Sequence, residues 1–280
     1  MNDDLIQLST DEFTYIAKLL YEQFGIHLSD QKRILVAGRL TKRVRQLGYT
    51  SFTKYFEHLM VDRTGSELSE LINRITTNHS FFFREIDHFE FLTRTVLPGL
   101  EERMKQTLAY PLRIWSAGCA TGEEVYSIGM LLREHFGTRM NQVDLGLLAT
   151  DISLAALQEA QDGEYPAQKL RELPANYRNT YFRLKQQDVY EISDDIRRMV
   201  LFKRLNLMSD PFPLKGQFDA VFCRNVMIYF DKDSRIRVVN NLYRYVKPGG
   251  YLFIGHSESL NREDCPFTYI KPAVYKKEGA

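Results

Sequence analysis

The spacing of apolar and polar residues changes character once along the chain. Over the first ~75 residues apolar positions recur every three to four residues, the period of amphipathic helices, with polar caps between them. Ser9 and Glu12 form a capping box, and Gly25 closes that helix. Ser29 caps a second helix over 30–47, stopped by Gly48. Thr50 or Ser51 opens a third, and Ser66 a fourth. The second helix has an apolar stripe of Val36, Leu40, Val44 and Leu47, with Lys32, Arg39, Lys42 and Arg43 clustered beside it. Such a cluster is either a solvated face or a docking surface for an acidic partner.

A linker over 76–86 and a helix over 87–104 follow. Short apolar runs then alternate with helical stretches, the mark of a mostly parallel α/β sheet. Strands are predicted over 112–117, 145–150, 200–205, 218–223 and 251–254, and helices over 123–136, 153–161 and 232–245. The end, 267–275, reads as a hairpin that gives the sheet an antiparallel edge. Residues 165–199 break the alternation. They are polar and tyrosine-rich, and 181–192 could pair on itself, so an inserted β subdomain is expected. The predicted division is a helical domain over 1–75, the linker, and an α/β domain over 87–280.

Composition adds exclusions. With 37 basic and 36 acidic residues the net charge is +1, which argues against nucleic acid as a partner. Cys119, Cys223 and Cys265 are odd in number and lack metal-ligand spacing, so they read as reduced thiols of a cytosolic protein. The first residues lack the basic and apolar blocks of a signal peptide, and no apolar run is long enough to insert in a membrane.

The chemistry concentrates at the carboxyl ends of strands, where open α/β sheets bind ligands. LRIWSAGCATGEE, 112–124, is a strand running into a turn with Gly118 and Gly122, then a helix. The small residues let the backbone approach a ligand. Unlike a dinucleotide-binding turn, however, this one puts Glu123 and Glu124 where a phosphate would sit. An acidic turn suits a cation. S-adenosylmethionine carries both an ammonium and a sulfonium. Asp151, ending LGLLATD, can accept both ribose hydroxyls or cap the next helix. Asn206 and Leu207 suit an adenine edge and face or are a plain strand end. Arg224, Asn225 and Tyr229 are polar groups in an otherwise apolar stretch, CRNVMIYF. In TTNHSFFFRE, Phe81 to Phe83 read as an interdomain plug, with Asn78, Ser80 and Arg84 able to line the cleft. His79 and His88 read as surface or capped histidines, because no third ligand is near them in sequence.

Taken together, TTNHSFFFRE, SAGCATGEEVYS, ATDIS, RLNL, FDAVFCRNVMIYFD and KPGGYLFIGHSE, in this order behind a helical N-terminal region, resemble the CheR family of chemotaxis-receptor glutamate O-methyltransferases. The resemblance spans nearly the whole chain. It implies a class I, Rossmann-like S-adenosylmethionine-dependent methyltransferase domain with a small all-helical receptor-contacting domain and an inserted β subdomain. The implied reaction converts receptor glutamates to methyl esters and leaves S-adenosylhomocysteine.

By the same resemblance, Asn78, Ser80 and Arg84 correspond to linker residues that contact cofactor or product. Glu123 corresponds to the acid near the methionine moiety, and Asp151 to the ribose-binding acid. Asn206 and Leu207 match the adenine site, and Arg224 and Asn225 a further cofactor-contacting pair. Arg84 and Tyr229 match the pair facing the transferred methyl. The implied partner is the cytoplasmic helical domain of a membrane receptor, contacted through Lys32, Arg39, Lys42 and Arg43. Members that tether to a receptor's C-terminal pentapeptide carry extra glycines in a hairpin loop. RLKQQDVYEIS has none, which argues against tethering here. Other readings left by the residues alone are a methyltransferase for nucleic acid or small molecules, a non-catalytic sensor of the cofactor, and a nicotinamide oxidoreductase.

Overall fold

The computed structural model describes residues 5–76, 80–107 and 110–279. The chain opens with four helices, α1 (Thr10–Phe24), α2 (Arg33–Gln46), α3 (Phe52–Val61) and α4 (Ser66–Ile75). The capping box at Ser9 and the left-handed Gly25 bound α1 as its sequence demands. Ile16, Leu20, Leu40, Tyr55 and Leu71 are fully buried at the centre of this bundle. A buried carboxylate, Glu67, sits among them. It accepts from Arg43 Nη2 at 2.5 Å and from the Tyr55 hydroxyl at 2.8 Å. Burial and a charged neighbour are compatible only because these donors satisfy it.

Next come α5 (Ile86–Phe91) and α6 (Leu97–Gln106), joined by one wide π turn over Leu92–Val96. The single helix expected over 87–104 is thus interrupted where Pro98, which has no N–H to donate, enters it. The α/β part then runs β1 (Leu112–Ala117), α7 (Glu123–Phe136), β2 (Leu145–Asp151), α8 (Leu154–Asp162) and β3 (Glu164–Pro166). After these come α9 (Ala175–Tyr181), β4 (Phe182–Gln186), β5 (Val189–Ile192), α10 (Asp194–Arg197) and β6 (Val200–Arg204). The last elements are β7 (Phe218–Cys223), α11 (Lys232–Tyr245), β8 (Val246–Ile254), β9 (Thr268–Lys271) and β10 (Val274–Lys276).

Seven strands form one sheet in the order β6-β2-β1-β7-β8-β10-β9. The first five are parallel, and β10 and β9 make the antiparallel edge. β7 is buried at every position, as expected for a central parallel strand. β8 begins five residues earlier than the apolar run at 251–254, because the Pro248–Gly250 segment, which reads as a turn, pairs with the chain beyond β10. The insertion is a separate three-stranded antiparallel sheet, β3-β5-β4. Strand order reverses direction across β1, whose neighbours are β2 and β7. This is the switch point where a doubly wound sheet leaves a crevice.

The helical bundle docks over that crevice. Asn206 Nδ2 donates to the Gln23 carbonyl at 2.7 Å, the His27 N–H to the Tyr229 carbonyl at 2.8 Å, and the Tyr21 hydroxyl to Asp231 Oδ2 at 2.8 Å. No helix among the described residues is long and apolar enough to cross a membrane.

Candidate active site

The turn after β1 and the segments after β2, β6 and β7 surround a cavity of about 510 Å³, closed from the other side by Phe24, Ile26, Leu35 and Arg39 of the bundle. This volume is ordinary for a small-molecule site. The backbone around it is unusual. Four of the six non-glycine residues with left-handed φ among the described residues, Phe83, Glu85, Ala120 and Asn225, belong to the linker, the turn after β1 and the loop after β7. Such strain persists only where the surroundings enforce it, and it clusters at functional sites.

Gly118 (φ 90°) begins the turn. A Cβ there would lie 2.4 Å from Val226 Cγ2, so only glycine lets the turn and the loop after β7 meet. Asp151 lies across from it. Its Oδ2 accepts from the Ala120 N–H and its Oδ1 from the Ser153 N–H, each at 2.9 Å. Burial pushes this carboxyl up despite those donors. Each oxygen keeps a second lone pair, and the residue lines the cavity.

Glu123 departs from its expected place. It is fully buried, accepts from Thr121 Oγ1 at 2.8 and 2.9 Å, and pairs with Lys169 of the insertion. Glu124 lines the cavity instead, accepting from Ser116 Oγ at 2.7 Å and Arg224 Nη1 at 2.9 Å. Successive helical residues point about 100° apart, so burying residue 123 turns residue 124 toward the site. The acidic turn is real, but its carboxylate is the neighbouring one.

Arg224 is the buried hub of the site. Besides Glu124, it donates to Glu85 Oε2 at 3.0 Å and to the Arg84 carbonyl. Burial would raise Glu85, but the Arg224 charge and hydrogen bond outweigh it and hold the carboxyl below its usual range. The linker is thereby fixed to both the turn and the loop after β7. Its phenylalanines divide the work. Phe82 packs edge-on against Tyr165 and Phe182, with centroids 5.0 and 5.2 Å away, and Phe83 packs on Phe89, whereas Phe81 faces the cavity with Ser80 and Arg84.

Asn206, Leu207, Asn225 and Tyr229 also line the cavity. Asn78 lies outside the described residues, as does His79. A residue not anticipated from the sequence organises the loop after β7. Glu258 accepts from the backbone N–H groups of Gly255, Asn225, Met227 and Ile228 at 2.6, 3.0, 2.7 and 3.2 Å. The only hint in the sequence was an acid shortly after a glycine at a strand end. Cys119 lines the cavity, but burial pushes its thiol well above the ordinary range, so it is not a thiolate nucleophile.

The description "CheR methyltransferase, all-alpha domain" matches residues 11–76, and "CheR methyltransferase, SAM binding domain" matches residues 78–275. The chain belongs to the CheR methyltransferase family. It is 41% identical over 272 residues to the chemotaxis protein methyltransferase of Borreliella burgdorferi, covering 97% of this chain and 96% of that one. The chemotaxis protein methyltransferase 2 of Vibrio cholerae is 38% identical over 258 residues, covering 92% and 88%. The Escherichia coli chemotaxis protein methyltransferase is 35% identical over 273 residues, covering 96% and 92%. Among solved structures, the glycopeptide N-methyltransferase MtfA with S-adenosyl-L-methionine aligns at a TM-score of 0.33 and 15% identity, over 55% of this chain and 48% of that one. That likeness is too low to bear on the site.

The protein is therefore an S-adenosylmethionine-dependent methyltransferase of the chemotaxis class. The cavity fits the cofactor. Glu124 and Asp151 give it the acidic lining that an ammonium and a sulfonium require, and the Gly118 turn leaves the backbone accessible.

Proposed function

We propose that the chain transfers a methyl group from S-adenosylmethionine to glutamate carboxylates of a chemotaxis receptor. The observation that carries this reading is a cavity with an acidic interior and Arg39 and Lys32 at the bundle side, roofed by a helical domain that a helical receptor could lie against. Asp151 is assigned to the ribose, Asn206 and Leu207 to the adenine, and Gly118 and Glu124 to the methionine end. Ser80, Arg224 and Asn225 frame the cofactor, and Asn78 is assigned with them by its motif. Arg84 and Tyr229 face the reacting atoms.

The bound cofactor supplies a methyl on a sulfonium, which bonds to carboxylate oxygen as the carbon–sulfur bond breaks and the electron pair returns to sulfur. A carboxylate is ionised at pH 7, so no general base is needed. The residues must therefore position and dehydrate. Arg84 orients the carboxylate, Tyr229 donates to it, and Phe81, Phe24 and Ile26 exclude the water that would blunt it. Mapping the modified peptide by mass spectrometry tests the assignment: the methyl increment falls on glutamate, and an increment on lysine or cysteine would reject it. Tyr229→Phe lowers the rate of transfer about 10-fold or more while cofactor affinity stays within about threefold. An unchanged rate would remove Tyr229 from the mechanism. Its backbone is held by the His27 N–H, so the variant retains the loop.

For the receptor surface, the four basic residues of the second helix divide. Arg43 is committed to Glu67, and Arg39 donates to the Ile75 carbonyl and lines the cavity. Lys42 is exposed, and Lys32, in the turn Asp30–Lys32 just before α2, is half-exposed while also lining the cavity, so these two carry the docking role. Charge reversal of both, Lys32→Glu with Lys42→Glu, raises the KM for receptor several-fold, with a weaker salt dependence than the wild type. A KM and salt slope equal to wild type would move the docking surface elsewhere. Reversal of Arg43 is a poor probe, because it strands the buried Glu67. Recruitment to the membrane follows from receptor binding on this reading, and the glycine-free β4–β5 turn speaks against tethering to a C-terminal pentapeptide.

A further inference from the structure

His88 is the first residue to account for. It is fully buried, and neither of its ring nitrogens has a hydrogen-bond partner. A neutral imidazole always carries one N–H, and leaving it unsatisfied in the interior costs about 1–3 kcal/mol. Native proteins rarely hold such a group without a use for it.

The sequence offers His88 no companion, but the fold does. The carboxyl end of β8 brings His256 beside it, with ring centroids 4.8 Å apart and planes at 79°. Glu85, one turn before His88, points into the same place, its Oε2 3.6 Å from His88 Nδ1. One ligand atom from each of Glu85, His88 and His256 lies within 4.8 Å of the others. The His256 ring is oriented from behind, because its Nε2 is 3.0 Å from Asp87 Oδ1, and Asp87 is held in turn by Lys271 at 3.5 Å. A carboxylate behind a histidine is the usual outer partner of a metal-ligating imidazole. It fixes the ring and leaves the other nitrogen free to bind.

We infer that Glu85, His88 and His256 form a binding site for a divalent transition-metal ion of the zinc type, separate from the cofactor cavity. Two imidazoles and one carboxylate are nitrogen and oxygen ligands of intermediate softness, which select zinc, cobalt, nickel or copper over magnesium and calcium. Ligand atoms about 2.0–2.2 Å from such an ion lie about 3.3 Å from one another in a tetrahedron. The separations between the three ligand atoms must therefore shrink by up to about 1.5 Å, and a water takes the fourth position. The nearby Arg224 guanidinium, 3.0 Å from Glu85 Oε2, opposes a cation. The expected affinity is therefore micromolar, weaker than that of a closed structural zinc site. The alternative explanation of the three side chains, a neutral polar cluster, leaves both nitrogens of His88 idle.

The test uses the full-length protein, stripped with chelator, kept reduced, and titrated with cobalt(II) alone. Expected is one equivalent bound with micromolar affinity. The visible d–d bands should be those of nitrogen and oxygen ligands, without the near-ultraviolet charge-transfer band of a thiolate. His256→Ala, whose side chain is 45% exposed and can be removed without opening the core, weakens binding at least about 10-fold. His135→Ala, at the separate pair with Glu101, leaves it unchanged. Three results would each overturn the site: no saturable binding, equal affinity in His256→Ala, or a thiolate band. Circular dichroism of each variant guards against misfolding. No arm of the test depends on methyl transfer, so its outcome is independent of the proposed reaction.

Discussion

Replacing Arg84 with alanine is expected to abolish receptor methylation, a fall in kcat of about 10²–10³-fold or more. The expectation rests on what methyl transfer demands. Two opposite charges cancel as carboxylate and sulfonium react, so the transition state is less polar than the bound reactants. A group that merely gripped the carboxylate would slow the reaction. The useful contribution of Arg84 is orientation, which keeps the oxygen in line with methyl and sulfur. The structure makes the substitution clean. The Arg84 carbonyl is held by Arg224, and Phe82 and Phe83 anchor the linker from the core, so the backbone stays in place when the side chain is removed. Single-turnover assays with saturating cofactor and a receptor fragment read the rate, and calorimetry reads the affinity. The rate should fall far more than the affinity. Turnover near the wild-type value would remove Arg84 from the mechanism.

Asp151→Asn should instead act on binding. Two hydroxyls of a ribose donating to a carboxylate form charge-assisted hydrogen bonds, each worth about 1.5–3 kcal/mol. Losing about 3 kcal/mol raises Kd by roughly 100-fold. The substitution is not silent in the free protein either. An amide cannot accept at both positions, so either the Ala120 or the Ser153 N–H loses its partner, and a modest drop in Tm accompanies the loss of binding. The pH dependence follows from the same carboxyl. Burial raises its pKa in the free protein, whereas ribose donors favour the ionised form. Cofactor affinity should therefore weaken as pH falls, and begin to do so at a higher pH than an ordinary aspartate would give. Asp151→Asn should lose that dependence. Wild-type affinity in the variant would remove Asp151 from the ribose site and leave it only its bonds to the Ala120 and Ser153 N–H groups, since α8 is capped by Ser153, whose hydroxyl accepts from the Ala156 N–H.

The parts of this molecule that were legible in its sequence are those governed by local rules. The capping box at Ser9, the left-handed glycine at residue 25 and the apolar runs of β1, β2 and β7 depend on neighbours in the chain, and they fold accordingly. The site was legible because ligands bind where parallel strands end. Nine residues chosen on that basis or by motif, from Ser80 to Tyr229, line a common cavity.

What was not legible depended on which way a side chain turns or on what lies across a gap. Glu123 and Glu124 are indistinguishable by composition; Lys169, 46 residues away, decides between them. Arg43 belongs to the same charged cluster as Lys42 until Glu67, on another helix, claims it. Of the four N–H donors that converge on Glu258, only that of Gly255 is near it in the chain; the other three come from a segment about 30 residues earlier, so the local hint could not announce the role. His88 had no visible companion until β8 delivered His256. The roof of the cavity, Phe24 and Ile26, lies in a domain whose sequence speaks only of its own core.

If this cavity makes methyl esters of receptor glutamates, the chemistry of the product reveals it. Purified protein is incubated with methyl-labelled S-adenosylmethionine and the cytoplasmic fragment of a chemotaxis receptor, and the labelled fragment is then treated with alkali. An ester releases its label as volatile methanol, whereas a methylated amine or thioether retains it. Expected is label on the receptor fragment, nearly all of it alkali-labile, and none with the Arg84→Ala protein. Alkali-stable label on that fragment, or equal labelling by Arg84→Ala, would contradict the proposed reaction.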